Sequence, residues 1–177
     1  MRFQKTKIKD IYIIEPELKK DARGYFFRAF CKKEVKENTG MDFNVAQINR
    51  SFTKKKGTIR GFHYQKSPHQ EDKILQCPKG ELFVVVLDLR PKSTTFKKWI
   101  SLRIGEKNKK IVLVPKGCAV GIQTLTNDCE ALYYMSEYYA PEYYRGIKRD
   151  DPAFKIKWPI KKPFLSKRDR QWPDYRK

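Results

Sequence analysis

Short runs of β-branched and aromatic residues, cut at near-regular intervals by turn formers, constrain this chain more than any other feature. DIYIIEP, NVAQINRSF, KILQC, ELFVVVLDL, KKWISLRI, KIVLVP, GIQTLT and EALYYMSEYY read as strands. DARG, KKKG, CPKG, IGEKN, PKG and TND read as the turns between them. That rhythm predicts an all-β sandwich of jelly-roll type. ELFVVVLDL lacks alternation, so it is expected to be buried on both faces near the centre of the sandwich. CKKEVKENTG (31–40) is the one helix candidate, closing on a glycine cap. The tail from about Asp150 carries four prolines and is expected to wrap the surface or form short helical turns.

With 177 residues and no internal repeat or linker, the chain is expected to form one unit over 1–177. Forty Lys and Arg stand against twenty Asp and Glu, a net charge of +20. Such an excess favours an anionic partner: nucleic acid, an acidic membrane surface or a phosphorylated small molecule. Cys31, Cys77, Cys118 and Cys129 are widely spaced, with no C-x-x-C pair, which argues against a zinc site or a disulfide framework. The first residues offer only IYII as an apolar run, too short for a signal-peptide core, and no stretch approaches a membrane span. A soluble cytoplasmic protein is the expectation.

GTIRGFHYQ (57–65) holds one of only two histidines in the chain. In a regular strand Arg60 and His63 would point to opposite faces. Gly61 between them would suit a bulge that turns both into one pocket, where a cation beside a histidine fits a phosphorylated ligand. His63, His69 and nearby Glu71 do not make a three-ligand metal set, so no metal is expected. A histidine can instead accept a proton near neutral pH, given a carboxylate to orient it and an acid to return a proton. LYYMSEYYAPEYY (132–144) offers tyrosines for that acid, without singling one out.

The stretches DARGYF (21–26), QINRS (47–51), GTIRGFHYQ (57–65), DKILQ (72–76), DLRPKSTTFKKW (88–99), VPKGCAVGI (114–122) and DDPAFKIKWP (150–159) occur in a specific order. Through them the chain resembles the dTDP-4-dehydrorhamnose 3,5-epimerase family from about Tyr12 to Asp169. The resemblance implies a cupin-like jelly roll, a homodimer, no cofactor, and a nucleotide-diphosphate 4-keto-6-deoxy sugar as substrate. It makes His63 the base, Asp169 the carboxylate that orients it, and Tyr133 the acid on the other face of the sugar. Arg23 and Arg60 fall on diphosphate or anion-stabilising positions and Lys73 near the enolate oxygen. Gln47 and Asn49 line the pocket, and Phe26 and Tyr139 are aromatic contacts of the nucleotide and sugar. The implied activity is inversion at C3, C5 or both, beside the C4 ketone, in deoxysugar biosynthesis for polysaccharide or O-antigen.

Three positions depart from the family pattern. Val120 stands where the family has a histidine, Val84 where it has an acid, and Arg28 where an acid is common. The two valines predict a drier pocket and leave Lys73 without the carboxylate expected from position 84. A narrower reaction, with inversion at C3 alone, is one consequence. The alternative class is a non-catalytic protein or a basic nucleic-acid-binding β-barrel, with Lys54–Lys56, KNKK (107–110) and IKKPFLSKRDR (160–170) on phosphates. That class has no need of a His/Tyr/Asp set, so neither nucleic acid nor membrane is the expected partner.

Overall fold

The computed structural model describes residues 1–175. The alternating and apolar runs form two antiparallel sheets. The first orders its strands as β1 (Arg2–Lys5), β2 (Tyr12–Glu15), β10 (Ile111–Val114), β7 (Lys73–Lys79), β12 (Cys129–Met135) and β5 (Gln47–Thr53). The second orders β13 (Tyr144–Gly146), β6 (Ile59–Gln65), β11 (Cys118–Thr124), β8 (Glu81–Asp88) and β9 (Trp99–Gly105). The hairpin β3 (Lys19–Asp21) and β4 (Gly24–Phe26) stands apart. This is the cupin-like jelly-roll sandwich that the strand rhythm and the resemblance predict.

Three apolar clusters hold the layers. Leu75, Val84, Val86, Val112, Val120 and Ile122 pack between the sheets. Outside the first sheet, Ile14, Ile74 and Leu113 are covered by Val35 and Phe43. Burying a side chain such as Phe43 contributes about 2 kcal/mol. Val35 lies on α1 (Lys32–Thr39), which ends at Gly40 in the left-handed region with φ 75°, as the glycine cap predicts.

The third cluster explains the unalternating ELFVVVLDL. Val84 and Val86 face the sandwich interior, whereas Val85 and Leu87 face outward and are covered by tail residues including Phe154, Ile156 and Trp158. The strand is thus buried on both faces from Val84 onward, but it lies beside the edge strand β9 rather than at the centre. The wrapping tail forms a parallel bridge between Thr58 and Phe164 and then turns through α2 (Lys167–Arg170).

The DLRPKSTTFKKW stretch is organised by Asp88, which is fully buried. Its carboxylate accepts from Arg90 Nε at 2.9 Å, Ser93 Oγ at 2.6 Å and Thr95 Oγ1 at 2.7 Å. Burial alone would raise its pKa, but these donors prevail and bring it down to about 2.

Candidate active site

A cleft of about 290 Å³ opens between the two sheets. The first sheet contributes Gln47, Asn49 and Ser51 from β5, Lys73 from β7, and Tyr133 and Met135 from β12. The second contributes Arg60, His63 and Gln65 from β6, with Val120 and Ile122 from β11. The i, i+2 spacing within most of these sets is the strand period placing them on one face. Arg60 and His63 break it, because the register of β6 on β11 shifts between Val120 and Ile122. Gly61 occupies the break with φ 116°, and a Cβ there would lie 2.6 Å from the Val120 carbonyl oxygen. Only glycine fits, and both side chains reach one cleft.

His63 Nε2 stands 2.6 Å from Asp169 Oδ1. Asp169 lies on α2, whose N-cap Ser166 accepts from the Asp169 amide and donates its hydroxyl to Oδ2, both at 3.0 Å. Trp172 Nε1 adds a third donor, 3.2 Å from Oδ1. Burial pushes the Asp169 carboxyl upward, but His63, Ser166 and Trp172 outweigh it and hold the group below its ordinary value. An ionised Asp169 fixes the His63 proton on Nε2, which leaves Nδ1 as the acceptor in the neutral ring. The tail is clamped from outside by Arg168, whose guanidinium lies 4.4 Å from the Tyr144 ring centre and 5.3 Å from that of Trp172.

Tyr133 comes from the opposing sheet. Burial raises the pKa of its phenol, with Ser51 and Arg60 pulling the other way, so at neutral pH it is a proton donor. Arg60 is held by Thr53 Oγ1 at 3.0 Å and by the Phe52 carbonyl at 3.3 Å. Tyr139 rests on a short loop fixed from both sheets: its amide donates to Gln47 Oε1 at 2.9 Å, and the Ala140 amide to Gln65 Oε1 at 2.7 Å. Gln47 also donates to Asn49 Oδ1 at 3.1 Å.

Lys73 does not lack a carboxylate, as the valine at position 84 had suggested. Its Nζ lies 2.8 Å from Glu71 Oε1 and donates to the His63 carbonyl oxygen at 3.3 Å. Val84 is wholly buried in the core and is not part of the cleft wall, whereas Val120 is. Arg28 pairs instead with Glu34 on α1, at 2.6 Å.

Eight of the residues expected to form the site therefore share one cleft: His63, Tyr133, Asp169, Gln47, Asn49, Arg60, Lys73 and Tyr139. Arg23 and Phe26 do not join them. They sit on the β3–β4 hairpin, with Arg23 paired to Asp21 at 2.6 Å and Phe26 69% exposed. Glu71, Tyr144 and Trp172 are site residues that the sequence reading did not assign. His69 packs its ring 4.7 Å from that of Tyr143. Among the described residues no three His, Cys, Asp or Glu side chains are grouped to hold a metal ion.

The fold and the cleft define a jelly-roll protein with a His–Asp pair and a tyrosine on opposite walls, an arrangement for moving protons on and off a bound substrate. The family model for dTDP-4-dehydrorhamnose 3,5-epimerase matches residues 5–177. A relative of that name from Shigella flexneri is 36% identical over 169 residues, covering 96% of this chain and 93% of its own. The solved dTDP-4-dehydrorhamnose 3,5-epimerase of Bacillus anthracis, with TDP and PPi bound, superposes with a TM-score of 0.95 at 36% identity, covering 98% of this chain and 99% of its own. ChmJ, a 3'-monoepimerase from Streptomyces bikiniensis in complex with dTDP-quinovose, gives 0.89 at 30%, covering 96% and 85%. The chain belongs to the dTDP-4-dehydrorhamnose 3,5-epimerase family of isomerases.

Proposed function

We propose that this protein epimerises a nucleotide-linked 4-keto-6-deoxyhexose by proton transfer across the cleft. His63 Nδ1 removes the hydrogen on a carbon beside the C4 ketone, and the electron pair moves onto the C4 oxygen. Lys73 and Arg60 stabilise that enolate, and preorganised charge of this kind is often the largest catalytic contribution. As the enolate collapses, the carbon takes a proton from the Tyr133 hydroxyl on the other face, which inverts the centre. The imidazolium and phenolate left behind are reset by exchange with solvent. Each positioned proton transfer is worth roughly 10²–10⁴-fold. The observation that carries this reading is the His63–Asp169 pair at 2.6 Å on one wall with Tyr133 on the other.

The exposed β3–β4 hairpin favours a homodimer in which Arg23 and Phe26 serve the neighbouring copy's cleft, since neither reaches its own. C3 is the favoured centre, in keeping with the 3'-monoepimerase among the relatives, and a deoxysugar pathway in the cytoplasm is the setting. Proton resonance of dTDP-4-keto-6-deoxyglucose with the protein in deuterated water tests the reading. Deuterium entering C3, C5 or both supports it. A substrate that stays fully protonated beside the ketone overturns it.

A further inference from the structure

Glu71 is the most enclosed carboxylate of the cleft, its side chain 3% exposed against 6% for Asp169. One oxygen, Oε1, holds Lys73 at 2.8 Å. The other, Oε2, is buried and has no hydrogen-bond partner among the described residues. Both oxygens of Asp169, by contrast, are taken up by His63, Trp172 and Ser166. An ionised carboxylate has room for about four hydrogen bonds, and an empty buried acceptor is costly. Balancing the charge of Lys73 needs only Oε1. The second oxygen calls for a donor that the protein itself does not supply.

The substrate can supply it. This step rests on the proposed reading, in which the Lys73 ammonium faces the C4 oxygen. Glu71 then lies one hydrogen bond behind that ammonium, close to the substituents flanking C4. C5 carries the ring oxygen and a methyl group, neither of which donates. C3 carries a hydroxyl. We infer that Glu71 Oε2 accepts a hydrogen bond from the C3 hydroxyl of the bound sugar, making Glu71 the residue that selects nucleotide sugars hydroxylated at that carbon. Val120 and Ile122 line the same cleft and offer no polar side-chain group to the sugar. Because inversion at C3 moves the hydroxyl, Glu71 holds one C3 epimer in preference to the other.

The test is calorimetric binding in a His63→Asn background, which stops turnover. The two ligands are dTDP-4-keto-6-deoxyglucose and its 3-deoxy counterpart. With Glu71 intact, the hydroxylated sugar is expected to bind roughly 10- to 100-fold more tightly, the worth of a hydrogen bond to a charged group. Glu71→Gln should bring that ratio towards one. Because this change leaves Lys73 buried without its partner, the same ratio is measured in a Glu71→Gln/Lys73→Met variant, which removes both charges and should also lose the discrimination. Equal binding of the two sugars with Glu71 intact overturns the inference. So does a preference that survives both variants. If neither sugar binds better than dTDP alone, the nucleotide-sugar reading itself falls, and Glu71's role falls with it.

Discussion

Nε2 of His63 and Oδ1 of Asp169 meet at 2.6 Å across 106 residues of chain. The strand that carries the histidine is set by the sandwich, and the aspartate by a short helix that docks against it. An Asp169→Asn protein keeps the shape but loses the ionised acceptor that fixes the imidazole. Turnover should fall roughly 10²-fold or more, with the sugar's Kd nearly unchanged. The stability of the two proteins should also differ with pH. Asp169 titrates lower when folded than its ordinary 3.8, so its contribution is complete above that value and is lost as pH falls through the folded one. Denaturant titrations should show the gap between wild type and variant closing only below about pH 4.

Tyr133 can be separated from His63 by what each leaves behind. Tyr133→Phe retains the base and removes the acid. Deuterium should still enter the substrate from the His63 side, while net inversion drops roughly 10²–10⁴-fold. Inversion that survives the change would place the acid elsewhere, and loss of exchange together with inversion would make Tyr133 necessary for proton removal itself.

Gly146 and Trp172 are pressed together: a Cβ at Gly146 would run into the Trp172 indole. Gly146→Ala must displace the indole, and with it a donor to Asp169. Overpacking of this kind costs about 1–3 kcal/mol, readable by thermal denaturation. Its loss of turnover should match that of Trp172→Ala, and the double variant should be no worse than either single one.

Asp88 lies away from the cleft and should matter to stability alone. Its pKa of about 2, against an ordinary 3.8, corresponds to about 2 kcal/mol at neutral pH. Asp88→Asn should lower stability by that amount at pH 7, and the difference should vanish as the pH is brought to about 2. Turnover of the folded variant at 25 °C should be unchanged.

The proposed role of Arg23 in a neighbouring copy's cleft is tested by co-expressing two inactive proteins. Mixed dimers of Arg23→Ala and His63→Asn contain one intact site only if Arg23 crosses over. A statistical mixture should then regain about a quarter of wild-type activity. Activity no greater than that of the two variants alone would overturn the crossing-over.

Much of the sandwich was legible because its strands are apolar runs between turn formers, and Gly61 marked the bulge before the bulge could be seen. The β3–β4 hairpin was not read as strands, since all six of its residues are exposed and carry no alternation. Burial of ELFVVVLDL on both faces was readable, but its place near the edge was not, because the covering residues come from the irregular tail. The His63, Tyr133 and Asp169 roles came from ordered motifs rather than from periodicity. Glu71 was passed over although an acid two residues before a buried lysine was a usable signal. Position 84 could not supply that acid's place, because the Val84 side chain turns into the core. Trp172 gave no pattern at all, because its partner Gly146 is distant in sequence and visible only once β13 lies beside β6.

The Lys73 ammonium rests on the carbonyl oxygen of His63, so that histidine and the charged wall share one peptide group. A cation at a peptide oxygen draws electron density from the adjoining amide nitrogen, which belongs to Tyr64. That amide is a built-in spectroscopic reporter. Its nitrogen resonance will move when Lys73 turns towards a negative oxygen in the cleft, which lets the arrival of a ligand be followed without labelling it.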